Sequence, residues 1–301
     1  MVDILIIGGG PAGLTASIYA KRSGKDVLVL ERESFGGQIA SSPRVENFPT
    51  IKSISGLELI DRLLEQATEL GVDVDVDEVR KIEKRDGYFS VETEYSKIEA
   101  KTIIVSTGCS PRKLNAVNMD KFDGSNVSYC AICDGFFYEN KKVALIGDGN
   151  TALQYAIYLS NFCEKVYVCT LFDKFFGEEV LIKSILEKAN IEIIHNVSLE
   201  RLNGDESLES VEFVNTITKE QVKIDVSGLF IAIGQIPHND FLGDLVELDN
   251  SGYIITNEAL ETKTPGIFAA GDCRQKILRQ LTTAVGDAAI AATSAMKYLN
   301  K

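Results

Sequence analysis

The sequence predicts an α/β protein of two Rossmann-like dinucleotide-binding domains, each a three-layer ββα unit, the second inserted into the first. Three observations predict it. A buried strand, Asp3 to Ile7, runs into the glycine turn Gly8-Gly9-Gly10-Pro11-Ala12-Gly13, and the same grammar returns at Lys142 to Ile146 and Gly147-Asp148-Gly149-Asn150-Thr151-Ala152. Each turn is followed by another apolar strand, Val27 to Leu30 and Lys165 to Cys169, and each unit closes on a similar run, Thr102 to Gly108 and Gly228 to Gly234. Beyond the second closing run lies one more buried strand, Pro265 to Asp272, as a resumed first domain requires.

The remaining elements fit that plan. Alternating segments, Tyr88 to Val91 and Val211 to Val214, predict antiparallel meanders ahead of each closing strand. A helix is expected over Leu281 to Leu299, with small residues on much of its surface. The expected domains are 1–113 with 240–301, and the inserted 114–239. Pro111 and Pro237 break the chain near the two crossings, and paired linkers there would let one domain rotate against the other.

Composition narrows the function classes. The chain has 301 residues, 45% hydrophobic and 25% charged, a globular make-up. A net charge of −13 with no Lys/Arg run argues against nucleic acid as a partner. No apolar run is long enough for a bilayer, and no signal peptide is read ahead of the first strand; a cytoplasmic protein is expected. Six cysteines in such a compartment do not suggest a disulfide framework. Only Cys130 and Cys133 form a C-x-x-C, and zinc would want a second pair or nearby histidines, whereas the two histidines are His195 and His238. A redox pair is the better reading, with no metal. Cys109, Cys163, Cys169 and Cys273 read as buried packing residues, and both histidines as structural.

The first turn is chemically specific. Gly8 permits the tight turn, Gly10 lets backbone approach a pyrophosphate, and Gly13 lets helix and strand pack closely. The helix start supplies unpaired N–H groups and a positive dipole end. Glu31 ends the next strand about 20 residues on, where an acid binds ribose hydroxyls. The motif alone does not separate NAD from FAD; Gly271-Asp272 and Arg279-Gln280 favour the flavin.

Together these pieces resemble the low-molecular-weight flavin thioredoxin reductases, over essentially the whole chain. The resemblance is carried by Gly8 to Gly13, Gly36-Gly37-Gln38, Val45-Glu46-Asn47-Phe48-Pro49, Thr107-Gly108, Cys130 to Gly135, Gly271-Asp272 and Arg279 to Ala284. It implies an FAD site made by Gly8, Gly10, Pro11, Ala12, Gly13, Glu31, Arg32, Gly37, Gln38, Asn47, Thr107, Gly108, Gly271, Asp272, Arg279, Gln280 and Leu281. Asp272 would bind the ribityl or pyrophosphate region, and Arg279-Gln280-Leu281 would face the isoalloxazine. It further implies Cys133 as the sulfur nearest the flavin, Cys130 as the sulfur that attacks a partner disulfide, Asp134 as acid/base, thioredoxin as substrate, and a homodimer. The residues themselves support a redox role: the short C-x-x-C spacing makes a readily reduced disulfide with one lowered thiol pKa. An adjacent carboxylate can move protons, although a turn or cap role for Asp134 remains open at this point.

The second turn departs from that family. There the next strand ends in His-Arg-Arg, with another Arg further on, for the 2′-phosphate of NADPH; here the matching positions are Thr170, Leu171, Phe172 and Phe176. Two glutamates after the turn are replaced by Gln154 and Tyr155. Hydrogen bonds to charged groups contribute about 1.5–3 kcal/mol each, so losing two or three weakens NADPH by roughly 3–9 kcal/mol. NADH fares no better, because Thr170 stands where its ribose wants an acid. No productive NADPH binding is therefore expected. The sequence resembles a ferredoxin-linked subgroup that lacks these cations. A ferredoxin near about −400 mV and thioredoxin near about −270 mV differ by roughly 130 mV, about 6 kcal/mol for two electrons. Alternatives are an NAD(P)H-dependent enzyme, a diflavin enzyme stacking a second FAD on Phe172 and Tyr155, and a non-catalytic flavoprotein redox sensor. Arg274, Lys276 and Arg279 are candidates for meeting an acidic partner.

Overall fold

The computed structural model describes residues 1–42 and 44–300, and in its first unit the strand Val2–Ile7 is central. It lies between Val27–Glu31 and Lys97–Val105, parallel to both, with Ile4 level with Val27 on one side and Thr102 on the other. Asp73–Val76 extends one edge and Ile267–Ala269 joins Lys97–Val105, also in parallel. A strand buried on both faces reads as a continuous apolar run, which is why Ile4 to Ile7 show no polar alternation. One face carries the helices Pro11–Arg22 and Leu281–Leu299, whose Leu14, Ala16, Ala288, Ala291 and Ala292 pack against Ile4 and Ile6. The other face packs Leu5 and Ile7 against Val79, Ile82 and Val91 of the antiparallel strands Val79–Lys84 and Phe89–Thr93.

Lys97–Val105 serves both layers. Its first half pairs antiparallel with Phe89–Thr93, and its second half pairs in parallel with Ile267–Ala269. Its burial reflects this: Lys97 and Glu99 are exposed, whereas Thr102 to Val105 are all buried.

The second unit repeats the plan. Its parallel sheet runs Ile191–Ile194, Lys165–Cys169, Lys142–Ile146, Gly228–Ile231, Val127–Ser128. Helices Asn150–Leu159 and Glu179–Leu186 cover one face through Leu153, Ala156 and Ile185. The antiparallel sheet Val197–Asn203, Ser210–Asn215, Gln221–Asp225 covers the other through Leu202, Val211 and Phe213. Because these five strands are parallel, the segments after Ser128, Ile146 and Cys169 all leave the same sheet edge, where open α/β sheets bind ligands. The expected fold class is the observed one.

Four boundaries differ from expectation. The units are Met1–Ser110 with Ile236–Lys301, and Pro111–Gln235, so both crossings fall a few residues earlier than 113/114 and 239/240. The reason is local: Cys109–Pro111 and Gln235–Pro237 are short strands paired with each other, so the chain changes unit within a ladder and not after it. The strand expected over Pro265 to Asp272 is only Ile267–Ala269, because Gly271 adopts φ +79° and opens a 3₁₀ turn, Gly271–Cys273. The closing strand of the second unit likewise stops at Ile231, short of Gly234. No helix among the described residues is long and apolar enough to cross a membrane.

Candidate active site

The glycines of the first turn have separable jobs. Gly8 has φ +108°, and a Cβ there would stand 2.4 Å from the Ser106 carbonyl oxygen. A Cβ on Gly13 would stand 1.8 Å from the Gly8 carbonyl oxygen, so only glycine lets the helix meet the strand. Gly10 differs: a Cβ would find its nearest protein atom, the Gly36 carbonyl oxygen, at 3.7 Å. No protein atom among the described residues crowds that position. Pro11 and Ala12 open the helix; Gly10 is its N-cap, and no side chain among the described residues caps it, which leaves first-turn N–H groups for an anion.

Glu31 is tied to the same turn. Its Oε2 accepts from the Gly9 N–H at 2.7 Å and its Oε1 from the Arg32 and Glu33 N–H groups at 2.8 and 3.3 Å, leaving a lone pair on Oε2 for a ribose hydroxyl. The Arg32 guanidinium pairs with Glu33 at 2.8 Å on the surface. Gly36 donates its N–H to the Gly9 carbonyl oxygen at 3.0 Å, and Gly37, with φ +61°, lies over the Gly10 Cα. Gln38 donates to the Cys109 carbonyl oxygen, and Asn47 donates to Gln280 Oε1 at 3.1 Å. Gln280 caps Leu281–Leu299 in a reciprocal box with Thr283, and Leu281 lines a small apolar cavity with Phe48 and Leu59.

Two further turns converge there. Thr107 Oγ1 donates to Asn239 Oδ1 at 3.2 Å, while Asn239 Nδ2 donates to the Gly252 and Cys273 carbonyls at 2.8 and 3.0 Å. The buried Asn239 thus clamps the Thr107-Gly108 turn to the Gly271–Cys273 turn. Gly108 has φ +65°, and a Cβ there would meet no heavy atom within 4 Å among the described residues. Asp272 Oδ1 is buried with no hydrogen-bond partner among the described residues. Burial pushes its carboxyl above the ordinary range, against the pull of Lys276 and Arg279. Arg279 stacks 3.8 Å from the Tyr253 ring centroid. A bare pyrophosphate-sized approach, uncapped N–H groups and an orphaned acid fit a flavin dinucleotide.

In the other unit, Cys130 and Cys133 form a disulfide at a short helical turn, Ala131–Asp134, with Cys130 as its N-cap. Asp134 Oδ2 accepts from Ser128 Oγ at 2.6 Å, while Oδ1 is buried and unpartnered among the described residues. Burial raises the Asp134 pKa above the ordinary aspartate value, opposed by the Ser128 hydrogen bond. Its side chain caps no helix, so the capping role does not hold. Cys109, Cys163, Cys169 and Cys273 are buried as expected, and burial raises all four thiols, Cys109 to about 12 and Cys163 and Cys273 to about 11. Among the described residues no cluster could hold a metal.

The second glycine turn keeps its geometry. Gly147 has φ +152°, and a Cβ would stand 2.5 Å from the Ala232 carbonyl oxygen. The segment after the next strand holds no cation cluster. Thr170 is fully buried, its Oγ1 2.6 Å from the Phe172 carbonyl oxygen and 2.8 Å from His195 Nδ1. Phe172 and Phe176 meet edge-to-face at 5.1 Å, both exposed, beside exposed Leu171. Gln154 is exposed, and Tyr155 is partly buried, packed against the cluster that holds Leu145, Leu153 and Leu159.

Sequence reasoning missed Ser128 and Asn239. A serine before a C-x-x-C and an asparagine in a linker carry no motif; both act through a distant or backbone partner. Arg274 and Lys276 are not the free surface cations expected. Lys276 bonds Asp287 at 2.8 Å with its side chain only 6% exposed, and Arg274 lies 3.6 Å from the same carboxylate. His238 is a structural partner of Ser110, at 2.8 Å.

Residues 2–288 match the pyridine nucleotide-disulphide oxidoreductase family model, and the chain belongs to that family. The chain is 38% identical to a thioredoxin reductase of Helicobacter pylori, covering 99% of each. It is 37% identical to a 34.2 kDa protein in the rubredoxin operon of Clostridium pasteurianum, over 99% of this chain and 97% of that one. The crystal structure of thioredoxin reductase from Streptococcus pyogenes aligns with TM-score 0.95 at 37% identity, covering all of this chain and 98% of that one. Within the family the chain stands with the low-molecular-weight thioredoxin reductases.

Proposed function

We propose that this chain is an FAD-dependent thioredoxin reductase working as a cytoplasmic homodimer. The disulfide of thioredoxin is reduced through Cys130 and Cys133, and the electrons come from reduced ferredoxin in place of NADPH. The observation that carries the reductase reading is the Cys130–Cys133 disulfide with a buried, raised-pKa carboxyl, Asp134, one residue on. FAD, when bound, takes up single electrons and gives them up as a pair.

The chain's own residues supply the rest. Gly8, Gly10, Gly13 and the uncapped helix start would hold the pyrophosphate, and Asp272 the sugar chain beside it. Cys130 would attack the partner disulfide, Cys133 would resolve the mixed disulfide, and Asp134 would carry the proton between departing and attacking sulfurs. The donor reading is supported by the second turn. A phosphate dianion set beside Phe172 and Phe176 would lose hydration and meet the single cation Lys174, whose Nζ lies 5.4 Å from the Phe176 ring centroid, in place of a cluster; Thr170 is already engaged by Phe172 and His195.

Cys130→Ser tests the dithiol assignment. Thioredoxin reduction should be lost while the flavin stays bound and reducible. Normal turnover of thioredoxin by that variant would refute the assignment. In the unaltered chain, a dithiol that reacts once and stops would indicate a sensor.

A further inference from the structure

Ser128 ends the edge strand Val127–Ser128, two residues ahead of the disulfide, and is 7% exposed. Its hydroxyl lies near three groups. It accepts the Cys130 N–H at 3.1 Å, donates to Asp134 Oδ2 at 2.6 Å, and lies 3.4 Å from the Cys130 carbonyl oxygen. A hydroxyl has one proton and two lone pairs. The Cys130 N–H fills one lone pair, and the single proton goes to the closer acceptor, the carboxyl.

The two oxygens of Asp134 are thereby made unequal. Oδ2 is held by Ser128; Oδ1 is buried and has no partner among the described residues. A proton on Oδ1 can be loaded and released without breaking the Ser128 bond, whereas a proton on Oδ2 would force the hydroxyl to turn away. We propose that Ser128 is the positioning residue for Asp134: it pins Oδ2, dedicates Oδ1 to proton exchange with the dithiol, and ties the carboxyl to the Cys130 backbone. This inference rests on the acid/base role proposed above for Asp134.

Atoms and electrons balance across the exchange. The Cys130 thiolate attacks the partner disulfide; one S–S bond forms, one breaks, and a partner thiolate departs. Asp134 gives that thiolate its proton. Cys133 then attacks the Cys130 sulfur, its thiol proton passes to Asp134, and the second partner thiolate departs and is protonated from solvent. The enzyme dithiol is oxidised, the partner disulfide is reduced, and Asp134 ends as it began.

The experiment uses the full-length flavoprotein, its dithiol reduced with dithiothreitol and desalted, mixed with oxidised thioredoxin across a pH range. The unaltered chain should show a pH limb that Asp134→Asn lacks. In Ser128→Ala the limb should move to higher pH, because a hydrogen bond favouring the carboxylate is gone. The rate should fall about tenfold, a part of the roughly 10²–10⁴-fold that general acid–base catalysis supplies. Ser128→Thr should restore both. If Ser128→Ala superimposes on the unaltered profile while Asp134→Asn loses the limb, the Ser128 assignment alone is wrong. If Asp134→Asn keeps the limb, the acid/base reading fails and this inference goes with it. A second measurement needs no serine variant: the infrared difference between the unaltered chain and Asp134→Asn at low pH should show a hydrogen-bonded carboxyl C=O. A free C=O band would overturn the proposal.

Discussion

Gly10 and Gly13 sit three residues apart in one turn, yet alanine should affect them through different physics. At Gly13 the new Cβ would stand 1.8 Å from a backbone oxygen, which no rotamer relieves. Overpacking of a rigid contact costs about 1–3 kcal/mol and sometimes more, so Gly13→Ala should lower the thermal midpoint and lose flavin as a consequence. At Gly10 the backbone is extended, φ −80°, and the new methyl meets protein only at 3.7 Å. Alanine is a poorer N-cap than glycine by roughly 0.5–1 kcal/mol, and the stiffer unfolded chain returns about 0.4–1 kcal/mol. The fold should therefore be nearly unaffected. The methyl would occupy the line of approach of the pyrophosphate, and a similar cost of about 1–3 kcal/mol there weakens flavin about 5- to 150-fold. The assay is bound flavin per chain together with the thermal midpoint at equal FAD. A Gly10→Ala protein that purifies fully yellow at unchanged affinity would refute the cradle as drawn.

Two other outcomes are expected. Introducing arginine together at Leu171, Phe172 and Phe176 should tighten NADPH without giving full NADPH-driven turnover, because Thr170, Gln154 and Tyr155 are unchanged; steady-state turnover matching the ferredoxin rate would contradict this. Asp134 has a raised folded pKa, so the native chain binds more protons than the unfolded chain between the ordinary aspartate pKa and the folded value. Stability should then fall as pH rises through that window. Asp134→Asn should flatten that slope in denaturant titrations at several pH values, and an unchanged slope would count against a buried carboxyl.

Much of this was legible in the sequence because it depends on local rules. A continuous apolar run such as Ile4 to Ile7, followed by glycines at fixed spacing, dictates a buried strand, a turn and a helix start, and the helix Leu281–Leu299 is observed with the expected ends. The C-x-x-C pairs as its spacing suggests. Less legible was anything settled by a distant partner. Asn239 acquires its meaning from Thr107 and Cys273, and Ser128 from Asp134. Lys276 looks like a surface cation until Asp287, on a helix eleven residues later, removes it from the surface. The crossings fall earlier than the prolines suggest because the pairing of Cys109–Pro111 with Gln235–Pro237 joins segments far apart in the chain, and the prolines mark strand ends there and not the start of loose linkers.

The central claim concerns where electrons enter. The most direct test is anaerobic absorbance of the bound flavin after mixing separately with NADPH, NADH and reduced ferredoxin. Reduced ferredoxin should bleach it fully, with thioredoxin restoring the colour, while both pyridine nucleotides leave it yellow at micromolar concentration. Fast bleaching by micromolar NADPH would contradict the account.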